Sequence, residues 1–210
     1  MLPWNQVLVL APHADDETLG CGGLLARSSR EGSKATVVLF TGKGPQRLAE
    51  LDRACAALGG IDLHVFRSSL NDSRPAIDEL NNILDQIEPD VVLVPFAGAH
   101  HQDHRAVSAI ALSAARPLVE EVRFRPRCVL AYEHAADQWT TGDAFQARLF
   151  VRLASEDIDA KVAAMACHES QRGDPYGIRS DRAIRSLAEL RGAQVGVAWA
   201  EAFMPLLEVF

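Results

Sequence analysis

The chain has 210 residues, with 21 Lys and Arg against 28 Asp and Glu, a formal net charge of −7 that leaves out seven histidines. That balance excludes a nucleic-acid binder, whose phosphate contacts demand a concentrated basic surface. At 48% hydrophobic and 23% charged, the composition is that of a globular chain rather than a disordered or fibrous one, and one domain over residues 1–210 is expected.

Val7-Leu8-Val9-Leu10 is a short, continuous apolar run closed by Pro12, as suits a strand buried on both faces. Thr18 to Arg30 carries Leu19, Leu24 and Leu25 on a helical period and stops at Gly32, and Ala35 to Phe40 is a second buried strand. Leu48, Leu51, Cys55 and Leu58 mark a helix closed by Gly59-Gly60. Leu63 to Phe66 is a third strand, Pro75 to Glu88 a helix with proline in its first turn, and Val91 to Val94 a fourth buried strand. Asp103 to Leu118 reads as an Ala-rich helix. Cys128 to Tyr132 and Leu149 to Leu153 read as strands, Glu156 to Ser170 and Asp181 to Arg191 as helices, and Val195 to Phe203 as a last apolar segment.

Strand and helix alternate through the first 118 residues, which predicts a Rossmann-like three-layer α/β sandwich with a mostly parallel sheet and helices on both faces. In such folds ligands sit outside the carboxyl ends of the strands, so a site belongs in the loops after Leu10, Thr41 and Pro95. Four scattered cysteines, Cys21, Cys55, Cys128 and Cys167, form no Cys-x-x-Cys pair and read as core thiols of a reducing compartment. The first apolar run is too short for a signal peptide or a membrane span, so a cytoplasmic location is expected.

Two of the loops carry ionisable residues in a chemical pattern. The first reads His13-Ala14-Asp15-Asp16-Glu17, between a buried strand and a helix. Three adjacent acids repel one another and call for compensation, which a divalent cation supplies; alternatively they favour the positive end of the next helix, which leaves His13 unexplained. The second reads His100-His101-Gln102-Asp103-His104. Parallel strands ending side by side would bring His104 towards His13 and Asp16, giving two histidines and one carboxylate with an open position, as in catalytic zinc sites. The alternative is a helix capped by Asp103 with neighbouring surface histidines.

The pair His13-x-Asp15-Asp16-Glu17 and His101-x-Asp103-His104 resembles the signature of the PIG-L/LmbE family of metal-dependent deacetylases. Arg47-x-x-Glu50 and Pro89-Asp90-Val91-Val92 are similar to the family as well, and Tyr132-Glu133, Lys161 with His168-x-Ser170-Gln171, Arg191-Gly192 and Ala200-Glu201-Ala202-Phe203 are similar to one bacterial branch of it. Ala14 stands where the family usually has proline, and the loop Gly42 to Gln46 is shorter than usual.

The resemblance implies hydrolysis of an N-acetyl group from an N-acetylglucosamine-type small molecule, with zinc (iron(II) being the alternative) held by His13, Asp16 and His104. Asp15 is the expected general base, and His101 the expected oxyanion stabiliser, oriented and kept cationic by Asp103. Arg47 resembles the family's substrate-contacting arginine; its bland alternative is a helix pair with Glu50. His168 and Glu201 are further candidates for the site wall, as are the aromatics from Tyr132 to Trp139. His64, His100 and His134 are read as structural, the Gly20-Cys21-Gly22-Gly23 run as a place of close packing, and Arg123 to Arg127 as a solvated edge. The competing functions are another single-metal hydrolysis at the same site and a non-catalytic carbohydrate-binding relative. The sequence leaves oligomeric state open.

Overall fold

The computed structural model describes residues 1–117, 123–137 and 144–209. Its elements follow in the order β1 (Gln6–Ala11), α1 (Asp16–Arg30), β2 (Lys34–Leu39), α2 (Pro45–Ala57), β3 (Asp62–Val65), α3 (Ser73–Ile87), β4 (Val91–Pro95), α4 (Gln102–Ala114), β5 (Cys128–Tyr132), β6 (Leu149–Leu153), α5 (Ser155–Cys167), α6 (Asp181–Gln194) and β7 (Trp199–Glu208). The strands form one seven-stranded sheet in the order β3-β2-β1-β4-β5-β7-β6. The first five run parallel, and β7 pairs antiparallel with both β5 and β6. This is the three-layer α/β sandwich that the alternation predicts.

Successive strand side chains point to opposite faces, and the apolar runs therefore feed two cores. Val7, Val9, Val37 and Leu39 pack under Leu24 and Leu25 of α1, Leu51 of α2 and Ile158 of α5. Leu8, Leu10, Val38 and Val92 pack under Leu80 and Leu84 of α3 and Val107 and Ile110 of α4. Strand order reverses between β1 and β4, and the register that sets Val7 opposite Val91 and Val9 opposite Leu93 brings their carboxyl ends level. Ligands bind at such a switch point in open α/β sheets.

Several boundaries differ from expectation, among them three with a bearing on the later elements. α4 ends at Ala114, three residues before Pro117, since a residue preceding proline is pushed out of helical space; Leu118 lies outside the described residues. α5 ends at Cys167, and Glu169–Gln171 forms a separate 3-10 turn. The last apolar segment is a longer strand, running to Glu208.

The glycines of α1 serve packing. A Cβ on Gly20 would collide with the Tyr132 ring, and one on Gly22 would lie 2.9 Å from Lys161 Cγ. One on Gly23 would lie 3.0 Å from Glu201 Oε1. That carboxylate accepts the amide N–H groups of Gly23 and Leu24 at 2.8 and 2.7 Å, and Lys161 Nζ donates to it at 2.7 Å. Because the Tyr132 ring is fully buried and its hydroxyl is anchored to the Leu10 carbonyl, it has little room to yield. Gly20→Ala is expected to lower unfolding stability by about 2 kcal/mol through overpacking, which thermal denaturation would register as a fall of roughly 4–8 °C.

Candidate active site

β1 delivers its loop to the switch point, where Asp15, Asp16 and Glu17 are 1%, 2% and 0% exposed. Three adjacent carboxylates at that burial each require a partner, and each has a different one. Glu17 accepts the Asp15 amide at 2.9 Å, the Thr18 hydroxyl at 2.6 Å and His168 Nε2 at 3.0 Å. Asp15 Oδ2 accepts Arg179 Nε at 2.6 Å, while Arg47 Nη2 lies 3.4 Å from Oδ1 and also donates to the Ala14 carbonyl. Asp15 has φ 137° and ψ −19°, a backbone strained by about 1–3 kcal/mol for a residue with a side chain. The Glu17 carboxylate on its amide holds it there.

Asp16 is surrounded by imidazoles. Its Oδ2 lies 3.2 Å from both His13 Nδ1 and His104 Nε2 and accepts the His13 amide at 2.8 Å; its Oδ1 lies 3.3 Å from His134 Nε2. Burial alone would push its carboxyl up, but the hydrogen bonds of His104, His13 and His134 outweigh it and hold the group well below the usual carboxylate range. For His13, burial acts to lower the pKa, and the hydrogen bond and charge of Asp16 with the Asp103 bond raise it overall. Burial, followed by the neighbouring Asp16 charge, lifts the Asp15 carboxyl in spite of Arg179.

The second loop arrives from β4 and is pinned by Arg105, whose Nη1 donates to the Ala99 and His100 carbonyls. His101, not Asp103, caps α4: its Nδ1 accepts the Asp103 amide at 3.2 Å. The Asp103 carboxylate instead reaches across to His13 Nε2 at 2.9 Å. Asp103 was expected to orient His101, and the imidazole that its carboxylate reaches is that of His13.

His13, His101 and His104 each offer a nitrogen within 4.8 Å of the others, and the His13 and His101 ring centres are 4.6 Å apart. Imidazole nitrogens together with the Asp16 carboxylate suit a borderline divalent metal. The carboxylate on the far nitrogen of His13 is the outer support typical of a ligating histidine. These groups open into a cleft of about 400 Å³ whose wall also includes Asp15, Arg47, Gln171 and Arg179.

Several expectations about the wall change. His100 and His134, read as structural, both line the cleft. His134 follows the end of β5 by two residues, so the rule that placed the other two loops would have found it. Arg179 precedes α6 in an irregular segment and had no sequence signal. His168 is fully buried on Glu17, and Glu201 is 5% exposed within the α1 contact, so neither belongs to the cleft. Tyr132 is a core residue, and Trp139 lies outside the described residues. Glu50 accepts the amide and hydroxyl of Ser170 at 2.9 and 2.6 Å in place of a helix pair with Arg47.

The Glu17–His168 contact can be measured through stability. Either Glu17→Leu or His168→Leu strands a buried polar partner and is expected to cost about 3 kcal/mol in urea unfolding. The double replacement should cost less than the two singles together by about 1–2 kcal/mol; strict additivity would show that the pair is not coupled.

Comparison with known proteins places this geometry. Residues 8–115, from β1 through α4 and so both motif loops, match the PIG-L family model, described as GlcNAc-PI de-N-acetylase. The uncharacterized deacetylase YaiS of Escherichia coli K12 is 30% identical over 181 residues, covering 78% of this chain and 90% of the relative. A 1D-myo-inositol 2-acetamido-2-deoxy-alpha-D-glucopyranoside deacetylase of Thermobifida fusca is 25% identical over 88% of this chain and 72% of its own length. Among solved structures, the conserved protein TT1542 of Thermus thermophilus superposes with a TM-score of 0.80 at 28% identity, over 97% of this chain and 96% of that one. With the motif loops, the intervening elements and the fold all in agreement, the chain belongs to the PIG-L family.

Proposed function

We propose that the chain is a de-N-acetylase that hydrolyses the acetamide of an N-acetylglucosamine-type sugar or its conjugate, using one zinc ion held by His13, Asp16 and His104. The observation that carries this reading is the Asp16 carboxylate at the switch point, with His13 and His104 both 3.2 Å from one oxygen and Asp15 adjacent. The family's description and the Thermobifida fusca relative's acetamido sugar support the substrate class, and a cleft of about 400 Å³ accommodates a hexosamine.

When bound, the ion supplies Lewis acidity, which acidifies water and polarises the acetyl carbonyl. Asp15 acts as general base. Its Oδ2 is committed to Arg179 at 2.6 Å, so Oδ1, with only the 3.4 Å contact to Arg47, takes the proton of the attacking water. His101, whose Nδ1 accepts the Asp103 amide, donates from Nε2 to the oxygen on which negative charge develops. Asp15 then returns its proton to the leaving amine. Arg47 and Gln171 offer donors and an acceptor to the sugar hydroxyls from the cleft wall.

A second ligand set, His13, His101 and His104, is favoured by their nitrogens lying within 4.8 Å of one another. Metal content separates the two. Under the first set, Asp16→Asn and His104→Ala lose the metal, whereas His101→Ala keeps one ion per chain while kcat falls roughly 10²–10³-fold. A metal-free His101→Ala with a metal-replete Asp16→Asn would establish the second. Asp15→Asn should retain the metal and lose about 10²–10⁴-fold in kcat on an acetylated amino sugar; unchanged turnover would remove Asp15 as the base.

A further inference from the structure

A second cavity, of about 430 Å³, opens between α3 and the segment that follows α4. Among the described residues it shares none with the metal cleft. Along α4, His104 in the first turn and Ala114 at the end are separated by about 15 Å of helical rise. Four arginines line the cavity: Arg74 from α3, Arg116 just past α4, and Arg123 and Arg125 before β5. The stretch expected to be a solvated edge thus turns two half-buried guanidinium groups inward.

Among the described residues the negative charge at hand does not match them. Asp78, the one acid among the described lining residues, pairs with Arg74 at 3.3 Å. Asp85 Oδ1 accepts the Phe124 amide. Among the described residues Arg116, Arg123 and Arg125 have no salt bridge. Burial first, then the charge of Arg123, pulls the Arg125 guanidinium below its usual range. Two polar atoms are stranded as well: Arg125 Nε is buried with no hydrogen-bond partner, and so is the Oδ1 of Asn81, a cavity-lining residue only 7% exposed. Clustered like charges and unsatisfied buried polar atoms are each costly, and one anion would relieve the arginine cluster and the Arg125 Nε donor. Arginine forks match phosphate oxygens two at a time, and Asn81, with its amide turned, would add an N–H donor. We infer that this cavity is a binding site for a small phosphate-bearing metabolite, held by Arg116, Arg123 and Arg125 with Asn81 at its floor. Its concavity favours a small molecule over a lipid surface.

Inorganic pyrophosphate is the probe, titrated by calorimetry into the metal-loaded protein. Saturable binding in the submillimolar range is expected, weakened at least tenfold in Arg116→Gln/Arg123→Gln. Hydrolysis of an unphosphorylated acetylated sugar should be unchanged in that variant, which separates this site from pyrophosphate bound at the metal cleft. Asn81→Asp, nearly isosteric, places a carboxylate beside the arginines and should cause the same loss of binding while raising the melting temperature. It also provides the test if the double variant fails to fold. Wild-type binding that does not saturate, or that survives in both variants, would overturn the proposal. So would binding of phosphatidylglycerol vesicles, but not pyrophosphate, through these arginines.

Discussion

Burying three consecutive carboxylates at one strand end is the constraint around which the rest of the molecule is arranged. Each carboxylate would be expelled to solvent or protonated if left alone. Glu17 is satisfied by a histidine, a hydroxyl and an amide, and Asp15 by two arginines. Asp16 is different: its partners are imidazoles gathered from the ends of three strands. Imidazole nitrogens around a carboxylate are the donor set of a divalent metal, so the groups that satisfy Asp16 coincide with the ligands that would hold a cation.

The topology supplies the location and the residues supply its sign. At the equivalent crevice a dinucleotide-binding fold presents a glycine-rich turn and a helix N-terminus to a pyrophosphate. Here carboxylates fill that turn, and the glycines begin one turn further along α1, where they admit the Tyr132 ring, Lys161 and Glu201. A superficially similar pattern thus serves a cation site with a tightly packed helix behind it.

Most of the fold was legible because its strands are buried on both faces and its helices carry a clean apolar period. The motif loops were legible because the positive end of a helix accounts for acids between a buried strand and that helix but not for the histidines beside them. What escaped was whatever depends on chain returning from far away. Arg179 meets Asp15 across 164 positions and His168 meets Glu17 across 151, and local spacing carries no trace of such pairings. The expected partner of Asp103 fails for a related reason. His101 is close in sequence and His13 is 90 positions away, yet the level ends of β1 and β4 bring the distant histidine within 2.9 Å of the Asp103 carboxylate.

The Glu201 carboxylate that bonds the middle of α1 has a consequence for how this enzyme can diversify. Both motif loops lie within residues 8–115, yet α1 is braced by Lys161 and Glu201, Glu17 by His168, and Glu50 by Ser170. The chemical half is therefore not a transplantable module. A graft that exchanged the C-terminal half to change substrate preference would have to carry those four contacts and the Arg179–Asp15 ion pair with it, whereas cleft-facing positions such as Gln171 can vary between them. Selectivity and structural bracing are interleaved on the same stretch of chain, residue by residue.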